Sequence, residues 1–322
     1  MKCLITYTLF IFFAISNQIA ANPIPEKNKI ACNTVATKPN VLMLILDDLN
    51  DYVGVMKGHP QAKTPNIDQL AKESVLFNNA HFNVPICSPS RASFMHGISP
   101  LKSKCWGFSK WEKNEILMNS KSIPKLFRDN RYKAYQTGKV FHTEKKGAWD
   151  ETGVFADYGP LAYDGKKVSM HSSCPIAMQE LGPLDATFAS LADIPVVEKN
   201  KNALGYMGWY SAHWKINKPI KYTSDEDRDL LKDEKNVAWF QNKIKQLEKA
   251  QEKESFLIAV GLIRPHTSIV VPQKYFDMFP LEKVKIPVLK SDGIYDTKLA
   301  ANTLGRESRG SKAFRTLNNL VF

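Results

Sequence analysis

The chain has 322 residues, 43% of them hydrophobic and 11% aromatic, which excludes a disordered or collagen-like polypeptide and is ample for a sizeable core. Forty-four Lys and Arg against 32 Asp and Glu leave a formal net charge of +12. The lysines are dispersed and no aromatic-interleaved basic signature occurs, so nucleic acid is not an expected partner; the charge fits either a solvated basic surface or attraction to a polyanionic substrate.

Residues 1–21 read as a signal peptide. Lys2 gives a positive start, Leu4 to Ile15 is largely apolar, and Ala20-Ala21 offers small residues for cleavage before Asn22-Pro23. The apolar stretch is short for a bilayer span and no later segment is long enough for one, so a secretory-pathway protein, extracellular or lysosomal, is expected without a membrane span. No Asn-x-Ser/Thr sequon occurs, so N-glycosylation is not expected. Residues 22–39, with Pro23, Pro25 and Pro39 and scattered lysines, read as an extended polar arm.

Val41 to Leu46 is an unbroken apolar run that stops at Asp47-Asp48, the pattern of a central strand covered on both faces. Thr64-Pro65 opens a helix, Thr as N-cap and Pro in the first turn, with Ile67, Leu70 and Ala71 on one face. Val75 to Phe77 is a candidate short strand, and Ser90 to His96 a short helix closed by Gly97. Residues 121–131 predict another helix, followed by an extended Tyr132 to Thr137 and the segment Gly138-Lys139-Val140-Phe141-His142. Residues 143–224 are rich in Gly, Pro and aromatics and have no clear period; the cluster Tyr206, Trp209, Tyr210 and Trp214 reads as core packing or a loop anchor in preference to a sugar site. Residues 225–253 predict a long amphipathic helix, acidic early (Asp225, Glu226, Asp227, Asp229) and basic late (Lys243, Lys245, Lys249, Lys253), as the helix dipole favours. Phe256 to Val260 is the next buried strand. This alternation argues for an α/β protein with a mainly parallel sheet. Residues 291–322 form an atypical polar tail.

Two features carry chemistry. Asp47-Asp48 follows a buried strand, where open α/β sheets bind ligands. Adjacent carboxylates there fit a hard cation such as Ca²⁺ or Mg²⁺, or, taken alone, a helix N-cap and a turn. Cys87-Ser88-Pro89-Ser90-Arg91 places a thiol just before a helix and four residues from an arginine, a position that attracts anions.

Cys-x-Pro-Ser-Arg, forty residues on from Asp47, resembles the type I sulfatases, whose cysteine is oxidised to formylglycine in the endoplasmic reticulum. Pro65-Asn66-Ile67-Asp68 with Leu70-Ala71 is similar to that family's helix between the aspartates and the cysteine. Thr137 to His142 is similar to its Gly-Lys segment, with the Phe-His ending of the iduronate-2-sulfatase branch. Phe256 to Gly261 followed by Arg264-Pro265-His266 is similar to the same branch.

The resemblance implies an alkaline-phosphatase-like α/β sandwich with a mostly parallel central sheet and a partial catalytic domain over residues 40–290. It implies hydrolysis of sulfate esters, of sulfated sugars such as glycosaminoglycans, and maturation by a formylglycine-generating enzyme. One geminal hydroxyl of the hydrated residue at Cys87 would attack sulfur and the other would later expel sulfate. Asp47, Asp48 and the oxidised Cys87 would hold a divalent cation, Ca²⁺ in preference to Mg²⁺. Arg91 would stabilise the hydrated aldehyde, Lys139 and His266 would contact the sulfate, and His142 would steady the attacking hydroxyl or assist proton transfer.

The family completes its metal site with a Ser-Asp-His-Gly or Asp-Asn-Gly element after a later strand, followed by a second sulfate-binding lysine. Here Ser291-Asp292-Gly293 lacks the strand and the His or Asn and reads as an Asp-Gly turn. The expectation is therefore a sheet incomplete toward the C-terminus and a cation short of ligands. A catalytically inactive, truncated, secreted binding protein of the family is the alternative. A phosphatase or phosphodiesterase of the same superfamily is disfavoured, because those enzymes usually place Ser or Thr where Cys87 stands. With Cys3 in the leader and Cys87 converted, Cys32, Cys105 and Cys174 remain, an odd number. The iduronate-2-sulfatase branch has a disulfide near the Cys174 segment.

Overall fold

The computed structural model describes residues 38–285 except 109, 144–146, 196–206, 213–217 and 252–253. The chain divides after Lys38, and the second unit, Pro39–Phe322, carries the structure described. The signal peptide, most of the polar arm, Cys32, Tyr206, Trp214, Ser291-Asp292-Gly293 and the polar tail lie outside the described residues.

In chain order the regular elements are β1 (Val41–Leu46), α1 (Pro65–Lys72), α2 (Cys87–His96), α3 (Pro100–Ser103), α4 (Glu115–Met118), α5 (Ile123–Asp129), β2 (Lys133–Gly138), β3 (Glu151–Phe155) and β4 (Leu161–Asp164). Then follow α6 (Gly182–Asp185), β5 (Phe188–Ser190), β6 (Met207–Tyr210), α7 (Lys232–Lys249), β7 (Phe256–Leu262), β8 (Ile269–Val271) and α8 (Gln273–Asp277). The main sheet has the order β1-β7-β2-β3 and is parallel throughout. Two small ladders also form: antiparallel β4–β6 lies within the region whose sequence shows no period, and parallel β5–β8 ties that region to the segment after β7. No helix among the described residues is long and apolar enough to cross a membrane.

Alternation along the strands divides the sheet into two faces. Leu257 and Ala259 of β7, Ala134 of β2, and Val41, Met43 and Ile45 of β1 enter the main core with Ala92 and Met95 of α2, Trp111, and Ile123 and Phe127 of α5. The opposite face meets α7, which packs on β2, β3 and β7. There the Thr137 hydroxyl donates to Asn236 Oδ1 at 2.7 Å, and Lys243 pairs with Glu151 at 2.5 Å above the Tyr135 ring.

This geometry corrects the sequence reading of Val41–Leu46. The strands covered on both faces are β7 and β2; β1 is an edge strand among the described residues. α7 packs chiefly on β2, β3 and β7, and Leu42 and Leu44 on that side of β1 are 52% and 54% exposed. Val75 to Phe77 forms no strand: it has the composition of one but no neighbouring chain to pair with, and all three side chains are exposed. The helix expected from residue 225 starts at Lys232. The acidic run before it forms a turn in which the Asp225 carboxylate accepts the Gln273 and Lys274 amides at 3.2 and 3.0 Å. Glu234 provides the actual start, accepting the Leu231 amide at 2.7 Å while Arg228 holds both its oxygens at 2.6 Å. Of the aromatic cluster, Trp209 is a core residue: fully buried, stacked on His171, and donating its indole N–H to the Leu191 carbonyl at 2.8 Å.

Gly138 pairs with Gly261 where β2 meets β7, and a Cβ on Gly261 would collide with the Lys139 backbone. Gly261→Ala should therefore destabilise the fold by about 3 kcal/mol or more. Gly97→Ala should cost only about 1 kcal/mol, because Gly97 has a positive φ of 65° but open space around its Cβ position. Urea unfolding of the two variants checks this, and equal losses would overturn it.

Candidate active site

Parallel pairing brings the C-terminal ends of β1, β7 and β2 to one edge of the sheet. The ladder continues one residue past β1 and β2: the Asp47 amide donates to the Leu262 carbonyl at 3.1 Å, and the Lys139 amide to the Gly261 carbonyl at 2.8 Å. Asp47 and Lys139 thus flank the end of β7, and the Lys139 ammonium donates to Asp47 Oδ2.

Helix α2 supplies the third member. It begins at Cys87, three residues earlier than the sequence pattern suggests, so the cysteine occupies the first helical turn, where unpaired amides favour negative charge. Arg91 lies one turn on. Its guanidinium donates to Asp47 Oδ1 at 2.8 Å, to the Val140 carbonyl at 2.9 Å, and to the Lys139 carbonyl. Asp47, Arg91 and Lys139 are all buried.

Burial pushes the Asp47 carboxyl up, but Arg91 and Lys139 outweigh it and hold the group below the usual carboxylate range. Burial pulls the Lys139 ammonium down, but Tyr158 and Asp47 reverse this and raise it. Lys139 Nζ lies 4.7 Å from the centre of the Tyr158 ring. Two cations against one carboxylate leave the cluster net positive.

The remaining candidates surround this cluster. His142 is partly buried; burial first, then the Lys139 and Arg91 charges, lower its pKa to about 4, so the imidazole is neutral at physiological pH. His266 Nδ1 donates to the Thr267 carbonyl at 2.5 Å, and its Nε2 stands 3.7 Å from Asp48 Oδ2. Its ring centre is 5.0 Å from that of Tyr158. Asp48 is exposed and has a left-handed φ of 58°, so it turns away from Asp47 toward His266. Burial raises the Tyr158 hydroxyl above its ordinary range against the pull of Lys139, and Cys87 and Asp47 lie close enough to add to the rise. All seven residues singled out in the sequence are therefore brought to this end of the sheet.

A divalent cation can be tested against these donors. The carboxylates are of the right chemical type, but both Asp47 oxygens are engaged by cationic side chains and Asp48 faces His266. No group of three or more His, Cys, Asp or Glu able to hold a metal ion occurs among the described residues. Against the six to eight oxygens that Ca²⁺ takes, the described residues do not complete a site.

Two contributors were not visible in the sequence. Tyr158 comes from the aperiodic region and carries no motif. Asp233, in the first turn of α7, accepts the Ile263 and Arg264 amides at 2.9 Å and so anchors the loop that presents His266. An acidic residue in a helix's first turn was the available signal, but its partner lies 30 residues away.

A family model described as Sulfatase matches residues 39–287. A sulfatase of Formosa agariphila is 28% identical over 271 residues, covering 80% of this chain and 45% of that protein. The iduronate 2-sulfatase of Homo sapiens is 27% identical over 256 residues, covering 79% of this chain and 40% of that protein. The chain thus spans less than half the length of these curated relatives. Among solved structures, the phosphonate monoester hydrolase of Agrobacterium radiobacter matches with a TM-score of 0.50 at 17% identity, over 85% of this chain and 51% of that one. The fold is the alkaline-phosphatase-like α/β sandwich with a mostly parallel central sheet.

Asp47→Asn leaves two buried cations with no counter-charge and should cost about 3–5 kcal/mol in denaturant unfolding; a loss below 1 kcal/mol would remove Asp47 as the organising charge. His142 titrates near 6.5 when unfolded and near 4 when folded, so between these values the unfolded chain binds more protons and stability falls as pH falls. His142→Gln should flatten that slope in unfolding measured from pH 7 to pH 4.

Proposed function

The chain belongs to the sulfatase family, and from that premise we propose that the whole protein hydrolyses sulfate esters, with the residue at position 87 as nucleophile. The observation that carries this reading is the buried, net-positive Asp47–Arg91–Lys139 cluster next to a cysteine in the first turn of α2. A sulfate group is drawn to two fixed cations in a site of low effective dielectric, where their pull is stronger than in water.

Oxidation of Cys87 to formylglycine by a formylglycine-generating enzyme would supply, on hydration, two hydroxyls on one carbon, one to attack sulfur and one to expel sulfate. Arg91 holds the loop after β2 through two carbonyls and Asp47 through its carboxylate, and so fixes a positive charge one helical turn from Cys87. Lys139 contacts sulfate oxygens from the β2 side, and His266 does so from the β7 side. His142, neutral at physiological pH, accepts the proton of the attacking hydroxyl or assists the later transfer that expels sulfate. A divalent cation, Ca²⁺ in preference to Mg²⁺, would take Asp47 and Asp48 as oxygen ligands together with the oxidised Cys87. The described residues do not complete its shell, so the positive charge they supply themselves is that of Arg91 and Lys139.

Sulfated sugars such as glycosaminoglycans are the proposed substrates. The relative named iduronate 2-sulfatase supports this, as does a net charge of +12 that steers polyanions. The apolar leader from Leu4 to Ile15 supports the secretory pathway, extracellular or lysosomal.

Peptide mass spectrometry of the Cys87 segment from secreted material should show sulfur exchanged for an aldehyde oxygen, and aryl sulfate turnover with Ca²⁺ should vanish in Cys87→Ala. An unmodified thiol, or equal rates in the two proteins, would overturn the enzymatic reading.

A further inference from the structure

We propose that Phe108 forms an aromatic platform that seats one pyranose ring of a sulfated sugar beside His142, an inference that rests on the sulfate-ester reading of the same site. The platform is a loop pinned at both ends. Cys105 and Trp111 are buried in the main core, and the Asn114 side-chain amide donates to the Ser103 carbonyl at 2.7 Å at the loop's base. Trp111 stacks on Phe141, with ring centres 5.3 Å apart and planes 15° from parallel, and Phe141 immediately precedes His142. The loop's far anchor and the catalytic imidazole are therefore fixed to one aromatic stack.

Between those anchors the aromatic side chains are open to water. Phe108 is 71% exposed and Trp106 is 47% exposed. The Phe108 ring centre lies 5.4 Å from that of His142, tilted by 58°. A large aromatic held in water beside His142, as Phe108 is, marks a ligand surface, because covering it recovers hydrophobic free energy.

Their chemistry selects the occupant. The face of an aromatic ring is electronegative, so it repels a sulfate but attracts the C–H-bearing face of a sugar ring. The Arg91–Lys139 cations attract the sulfate. A ligand spanning both is oriented with its sulfate inward and its ring outward over Phe108, which is the polarity a sulfated sugar has and a bare sulfate ion lacks.

The test is calorimetric titration of the intact protein with sodium sulfate and, separately, with a sulfated disaccharide prepared from heparin. Phe108→Ala should weaken disaccharide binding by about five- to tenfold and leave sulfate binding unchanged, while Phe108→Tyr should retain wild-type affinity. Unchanged disaccharide affinity in Phe108→Ala overturns the platform, and so does an equal loss of sulfate and disaccharide, which would place Phe108 in the support of the anion site. Wild-type protein that binds sulfate but not the disaccharide overturns the platform alone and leaves the anion site standing. Protein that binds neither overturns both readings.

Discussion

A carboxylate cannot remain ionised in a protein interior without compensating charge, and at Asp47 that demand organises the whole C-terminal end of the sheet. Three elements distant in sequence answer it. β1 carries the carboxylate, α2 delivers Arg91, and the segment after β2 delivers Lys139. Each bond to Asp47 also fixes something else. Arg91 reaches the Lys139 and Val140 carbonyls, so it ties α2 to the β2 loop and sets where Cys87 stands. Lys139 lies over Tyr158 and brings the aperiodic region into the site. The cluster's surplus positive charge keeps His142 neutral, with burial as the larger cause.

The backbone beneath this cluster imposes a second constraint. Asp47 and Lys139 can flank β7 only if the strands approach closely at their ends, and Gly138 and Gly261 leave no room for a Cβ between them. A charge network and a glycine contact therefore support the same geometry from two directions, one electrostatic and one steric. On the far face, α7 packs chiefly on β2, β3 and β7. Leu42 and Leu44 remain open there, an apolar edge-strand face of the kind that soluble proteins ordinarily cover or blunt with charge.

Much of this was legible in the sequence wherever pattern and chemistry lie close along the chain. Val41–Leu46, Phe256–Leu262 and Pro65–Lys72 are recognisable because local periodicity and capping residues report on a few neighbours at a time. Cys87 and Arg91 form one turn of one helix, so their relation is visible as a spacing. The failures have the opposite character. The acidic residues from Asp225 to Asp229 have the composition of a helix start, but Asp225 is committed to amides 48 and 49 residues away. Val75 to Phe77 has strand composition without a partner. Which of two similar apolar runs is central depends on where α7 lies, and no local pattern encodes that.

The sequence by itself determined the family and the alternation that makes an α/β sheet, and it singled out the residues that the fold gathers at one end of that sheet, because these depend on residue type and on short spacings. Only the tertiary structure decided that Asp47 is held by Arg91 and Lys139 from 44 and 92 residues away, that Tyr158 lies against that lysine, that β7 and not β1 is central, and that Phe108 stands open beside His142. The physical reason is that burial, charge compensation and strand order depend on chain segments meeting across long separations, and those meetings exist only once the chain has folded.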